Sequence, residues 1–241
     1  MTSAVACPSK SQVDKAGAII RRYFADTNQF PPGLAAPPEF DAAFGVLLDY
    51  RSAHQYPLRK ANMGLRSMVS TEGCLVEITQ RLKRIPTIID KLQREPTIRL
   101  STMQDVGGCR AVLSSIDEIR RVERRLKKNR PPVRVSDYIA EPRDSGYRGV
   151  HVIVEYDNRM IEVQLRTQVM HEWAITVERL SGRLGEDLKG GRGPQPVLDL
   201  LEAISEAMAI EEAGEVVGQV PSEETREPRR IADPFLRGGS R

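Results

Sequence analysis

Two runs of alternating aliphatic residues, joined by an Asp-Asn pair, constrain this chain more than anything else in it. In YRGVHVIVEY (147–156), Val150, Val152 and Val154 occupy every second position; in RMIEVQLR (159–166), Ile161, Val163 and Leu165 do the same. A period of two puts the aliphatic groups on one face of a strand and the intervening side chains on the other. Asp157 and Asn158 suit a two-residue hairpin turn, so the two runs are expected to pair as neighbouring strands. The second face then carries Glu162, Gln164 and Arg166 in a row. A carboxylate, an amide and a guanidinium do nothing for a core, and their purpose has to be sought in the rest of the chain.

Around this hairpin the sequence predicts a mixed α/β (α+β) domain, with a mixed β-sheet of about five strands flanked by helices. Helices are expected over 10–30 and about 39–72, interrupted by the Pro-rich FPPGLAAPP (30–38), with Pro57 punctuating the second. LVEITQRLK (75–83), CRAVL (109–113) and VRVSDYI (133–139) read as further strands. PTIIDKLQRE (86–95) and IDEIRRVERRLKKNR (116–130) read as helices, the latter with Ile119, Val122 and Leu126 inward and a basic outer face. Thr167 is placed to cap a helix that starts at Gln168. A Gly-rich connector (181–194) leads to a last amphipathic helix (196–213).

With 241 residues, the chain has room for one sizeable domain plus additions, or for two small domains. No apolar run approaches the roughly 18 residues of a membrane span, and MTSAVACPSKSQVDK lacks a signal-peptide core. A cytoplasmic protein with no membrane partner is expected. Cys7, Cys74 and Cys109 are odd in number and widely spaced, which argues against a disulfide framework and a structural zinc site. Net charge is only +3, yet residues 77–134 hold fifteen Lys/Arg against seven Asp/Glu. That excess fits a polyanionic partner, or simply a solvated helical face.

Neither G-x-x-x-x-G-K-[ST] nor a strand-borne G-x-G-x-x-G is present, so any phosphate must be held by side chains. RLKRIPTIIDKLQR supplies them: Arg81 and Lys83 share a strand face, and Lys91 and Arg94 share a helix face. Such a corner suits a triphosphate, although cations at this spacing are also common on surface helices. In QDVGGCR, Asp105 precedes paired glycines and Arg110 falls inside a strand. Asp105 with Glu162 would make a Mg²⁺ site of one or two carboxylates, the other positions being filled by water and phosphate; Asp105 reads equally as a turn cap. In DYIAEPRDSGYRGVH, Tyr147 follows a glycine, which suits a ring exposed for stacking on a base, with Arg143 and Arg148 beside it.

In this order, RLKRIPTIIDKLQR, QDVGGCRAVL, DYIAEPRDSGYRGVH and IEVQLRTQVMHEWA resemble the successive motifs of the RelA/SpoT synthetase domain of alarmone synthetases. The resemblance implies a nucleotidyltransferase-like fold and an ATP-dependent pyrophosphokinase, which moves the β,γ-diphosphate of ATP onto a ribose 3′-hydroxyl with Mg²⁺. It further implies that Arg81 and Arg110 sandwich adenine and that Lys83, Lys91 and Arg94 bind phosphates. Asp105 and Glu162 would bind the metal and serve catalysis, Glu162 by activating the hydroxyl. Tyr147 would stack on the acceptor base, with Gln164, Arg166, His171 and His151 on the acceptor side together with Arg143 and Arg148. The implied division is a helical region over 1–72, the catalytic core over 73–182, the connector and last helix over 183–214, and a flexible tail over 215–241.

The acceptor side departs from the family pattern. Synthetases acting on GDP or GTP commonly carry Lys where this chain has Ser136, Lys where it has Arg143, and Ser where it has Gly149. DYRSAHQYPLRKANMGLR and VERLSGRLGEDLKGG are similar to a branch of small relatives that includes toxic alarmone synthetases. Some members of that branch pyrophosphorylate the 3′-CCA end of tRNA and are restrained by an antitoxin. The expectation is therefore a toxin of this kind, with tRNA as acceptor, an antitoxin as partner and a homo-oligomer as a further assembly. A (p)ppGpp synthetase using GDP or GTP is the first alternative, and a non-catalytic nucleotide- or RNA-binding relative the second.

Overall fold

The computed structural model describes residues 8–26 and 36–214. The N-terminal end, most of the Pro-rich segment and the tail expected to be flexible lie outside the described residues. Helices α1 (Lys10–Asp26), α2 (Pro38–Ser52) and α3 (Gln55–Thr71) precede strand β1 (Glu77–Leu82) and helix α4 (Ile85–Arg94). Then follow β2 (Gly107–Leu113), α5 (Ile116–Asn129), β3 (Arg134–Asp137), β4 (Val150–Tyr156), β5 (Arg159–Thr167), α6 (Gln168–Leu184) and α7 (Gln195–Glu212). None of these helices is long and apolar enough to cross a membrane.

The five strands form one mixed sheet in the order β1-β2-β5-β4-β3, antiparallel except between β2 and β5. Asp157 and Asn158 both take positive φ, 49° and 59°, as a two-residue hairpin requires. The aliphatic face, including Ile78, Ala111, Val152, Val163 and Leu165, is buried with Leu58, Leu65 and Met68 of α3 and Ile119, Val122 and Leu126 of α5. A second core joins α1, α2 and α4 through Ile20, Leu47, Ile88, Leu92 and Leu100. A third gathers Trp173 and Val177 of α6, Leu188, and Leu198 and Leu201 of α7 around Tyr147.

The elements differ from expectation where local backbone chemistry outweighs pattern. The chain breaks between α2 and α3 at Ala53 and His54, while Pro57 sits inside the first turn of α3, where its missing N–H has no helical partner to lose. β4 begins at Val150 and excludes Tyr147, because Gly149 at φ +146° turns the backbone out of the strand. α6 runs on into the Gly-rich segment as far as Leu184, and a short 3-10 turn (Leu188–Gly190) follows.

Candidate active site

Register alone assembles the polar face. Thr79 lies opposite Arg110, Arg110 opposite Gln164, Gln164 opposite His151, and His151 opposite Ser136, one row across all five strands. In the next row, Arg81 pairs with Gly108 and Gly108 with Glu162. Gly108 thus leaves no side chain between Arg81 and Glu162, whose backbones stand about 10 Å apart, two strand spacings.

The corner expected to take the donor is set by the end of β1, by α4 and by the approach to β2. Lys83 Nζ lies 2.7 Å and Lys91 Nζ 3.0 Å from the two oxygens of Asp105. Burial alone would raise the Asp105 pKa, but the two ammonium groups outweigh it and hold the carboxyl below its usual range. Arg94 is held elsewhere, by Asp90 on its own helix at 2.9 Å and by Asp187 beyond α6.

Glu162 is the best-supported carboxylate in the site. Its oxygens accept from His151 Nδ1 at 3.0 Å and from Gln164 Nε2 at 2.5 Å. Burial works against its charge, yet these donors and the charge of Lys91 bring its pKa down to about 2. His151 is largely covered, and desolvation keeps it below its ordinary pKa, so the neutral ring donates through Nδ1 and accepts the Tyr147 hydroxyl at Nε2, 2.5 Å away. Arg166 closes the ring of bonds, giving Nε to the Tyr147 hydroxyl at 3.1 Å and Nη2 to Gln164 at 2.8 Å. His171 on α6 meets Arg110 at 3.3 Å. Burial, and then the charges of Arg110 and Arg166, lower the His171 pKa.

Asp105 is near enough to Glu162 to feel its charge. Two carboxylates beside a cluster of cations fit a Mg²⁺ ion that keeps several of its waters and shares a polyphosphate. Lys83 and Lys91 now occupy the Asp105 oxygens that such an ion would take.

Three expectations need correction. Tyr147 is not an exposed platform: it is 0% exposed, its ring lying 6.3 Å from that of Trp173 and its hydroxyl spent on His151 and Arg166. Arg148 does not flank the site; it turns away to Glu212 at the end of α7, 3.4 Å distant. The outer face of α5 is mostly neutralised. Arg120 pairs with Asp137 and Glu123, Arg121 with Glu118, Arg125 with Glu72, and Lys127 with Glu123. Arg143 opens the loop 143–149 that ends in Gly149 and lies on the Tyr138 ring, 4.4 Å from its centroid.

The sequence reading missed Asp187 and Lys189. Lys189 Nζ lies 4.8 Å from the Tyr147 ring centroid and 2.8 Å from Glu178. The signal was present, since GEDLKGG sets two acids and a lysine between glycines immediately after the helix that carries His171.

Comparison with known proteins places this geometry in context. Residues 80–179 match a region found in RelA/SpoT proteins. The chain is 31% identical over 191 residues to the GTP pyrophosphokinase YjbM of Bacillus subtilis, covering 72% of this chain and 88% of that protein. The GTP pyrophosphokinase YwaC of the same organism is 31% identical over 141 residues, 52% of this chain and 65% of its own. Among solved structures, small alarmone synthetase 1 of B. subtilis bound to its product pppGpp superposes with a TM-score of 0.57 at 29% identity, covering 70% of this chain and 95% of that one.

Proposed function

This chain belongs to the RelA/SpoT family, and on that premise we propose that it transfers the β,γ-pyrophosphate of ATP to the 3′-hydroxyl of the tRNA CCA end. It thereby inhibits translation, as a toxic small alarmone synthetase-like enzyme restrained by an antitoxin. The reaction class is that of a pyrophosphokinase. Arg81 and Arg110 hold adenine, and Lys83, Lys91 and Arg94 neutralise the phosphates. The acceptor 3′-oxygen bonds to the β-phosphorus, the bond from that phosphorus to the oxygen bridging the α-phosphate breaks, and AMP leaves. Glu162 takes the hydroxyl proton. A carboxylate with a pKa of about 2 is a weak base but is ionised throughout the neutral range. Position matters more than basicity when the transition state is loose. Asp105 and Glu162 would hold Mg²⁺, which when bound would supply charge neutralisation on the polyphosphate.

The observation that carries the acceptor assignment is where the three departures lie. Ser136, in place of a Lys, stands opposite His151. Arg143, in place of another Lys, is laid on Tyr138 and donates to its hydroxyl at 2.7 Å. Gly149, in place of a Ser, adopts a backbone that disfavours any side chain. A free nucleoside di- or triphosphate needs cations for its 5′-phosphates, and here one is missing and another is engaged. The terminal nucleotide of an RNA brings a single phosphodiester and needs fewer. The second reading, a GDP or GTP acceptor, is favoured by the likeness to YjbM across most of that protein. Incubation with γ-labelled ATP and either deacylated tRNA or GDP separates the two. Label on tRNA is expected, and label on GDP alone overturns the assignment.

A further inference from the structure

The segment between α6 and α7 is stitched to both halves of the site. On the donor side, Asp187 takes Nη1 of Arg94. On the acceptor side, Lys189 sets its ammonium against the Tyr147 ring, and its carbonyl accepts the Ser145 hydroxyl at 3.0 Å. These two residues share one tight turn. Gly190 and Arg192 donate to the Asp187 carbonyl at 2.9 and 3.0 Å, Gly190 also reaches the Asp187 carboxylate at 3.2 Å, and Leu188 between them is fully buried. The turn is therefore internally braced, with Gly185 just before it and Gly191 in its last bend, both left-handed at φ +71° and +76°.

Both contacts stand where substrate groups would. A carboxylate occupies the guanidinium read above as a phosphate ligand, and a cation covers a ring read as the seat of a base. We infer that residues 185–193 form a strap that holds the acceptor loop shut without donor, and that Asp187 is the positioning residue through which ATP releases it. The inference rests on Arg94 being a phosphate ligand. A triphosphate carries several charges, whereas Asp187 offers one, in an ion pair whose partners are 29% and 35% exposed. The triphosphate wins Arg94, the turn loses its donor-side anchor, and Lys189 and Ser145 move with it, freeing Tyr147 for the acceptor. Donor binding would thus precede acceptor binding.

The lone tryptophan reports on this directly, because Trp173 packs beside Tyr147 and donates Nε1 to the Leu201 carbonyl of α7 at 3.2 Å. In the full chain, a non-hydrolysable ATP analogue is titrated while its affinity is followed by calorimetry, Trp173 emission by fluorescence, and exchange at residues 143–149 by hydrogen–deuterium measurement. Binding is expected to shift the emission and speed exchange in the loop. Asp187→Asn keeps an oxygen for the Gly190 N–H and loses only the charge. It should show the fast exchange without nucleotide and bind the analogue roughly fivefold tighter, the limit for a partly exposed ion pair. Asp187→Glu should restore slow exchange. If the analogue binds and Arg94→Ala weakens it, yet loop exchange stays slow in both wild type and Asp187→Asn, the strap is overturned while the phosphate role of Arg94 stands. If Arg94→Ala binds as tightly as wild type, that role fails and the strap with it.

Discussion

His151 and Glu162 are joined at 3.0 Å through the His151 Nδ1–H, and the other nitrogen of the same ring takes the Tyr147 hydroxyl. The carboxylate proposed to take the acceptor proton is thus joined through one imidazole to the buried ring that the resemblance gives to the acceptor base. Whatever moves Tyr147 changes the support of Glu162.

Glu162→Gln removes the charge and keeps one oxygen for a donor. Label transfer from ATP is expected to fall about 10²- to 10⁴-fold, the range for losing a positioned proton acceptor, with the far-ultraviolet circular dichroism retained. Transfer within tenfold of wild type would take Glu162 out of the chemistry.

Asp105→Asn leaves Lys83 and Lys91 facing an amide and removes half of the expected metal site. Chelation of divalent cations should abolish transfer by the wild type. The variant should need more Mg²⁺ for half-maximal rate, on the order of tenfold or more. An unchanged Mg²⁺ requirement would assign Asp105 to holding the two lysines and nothing else.

The sheet and its polar face were legible in the sequence because a period of two and a two-residue turn are local signals, and register then places Arg110, Gln164 and His151 side by side without further information. The burial of Tyr147 was not legible. Its ring is covered by Trp173, Leu188 and α7, elements 26 or more residues away in the chain, and a glycine before a tyrosine carries no trace of them. The neutralised face of α5 was legible in part: Glu118 and Glu123 lie three or four residues from their partners on the same helix, whereas Glu72 ends a helix far upstream.

Gly149→Ser restores the residue that GDP- and GTP-using synthetases commonly carry. At φ +146°, its Cβ would come 3.3 Å from both the Tyr147 hydroxyl and Arg166 Cγ, tight contacts in a backbone region that disfavours side chains. A loss of roughly 1–3 kcal/mol in unfolding free energy is expected, with faster exchange in the 143–149 loop. If chemical denaturation gives wild-type stability, the closed loop does not depend on this glycine.

His54 is a buried histidine with no part in the chemistry. Nδ1 bonds the Tyr50 carbonyl at 2.8 Å, Nε2 has no hydrogen-bond partner among the described residues, and burial pushes its pKa down to about 4. The unfolded chain binds this proton near pH 6.5 and the folded one only near 4, so the contribution is full above about 6.5 and is lost progressively as the pH falls toward 4. Its size is on the order of 2–3 kcal/mol. His54→Phe keeps the edge-on contact with the Tyr50 ring and removes the titration. The variant's stability should fall less than wild type's between pH 7 and pH 4.5, and parallel curves would show that His54 titrates normally.

The basic stretch of α5 gives a test of the RNA acceptor that does not depend on chemistry. Arg124 and Lys128 are exposed, whereas Arg120, Arg121, Arg125 and Lys127 face acids. A bound RNA releases about 0.7–0.9 counterions per phosphate contact, so two cations set a ceiling on what this helix adds to the salt dependence. With tRNA as ligand, Arg124→Ala with Lys128→Ala should reduce the slope of log K against log salt by about 1.5. A fall of three or more would mean that the paired arginines leave their acids to meet the RNA. No change would remove α5 from the interface and leave the excess charge of residues 77–134 to the donor site and to the helix's own ion pairs.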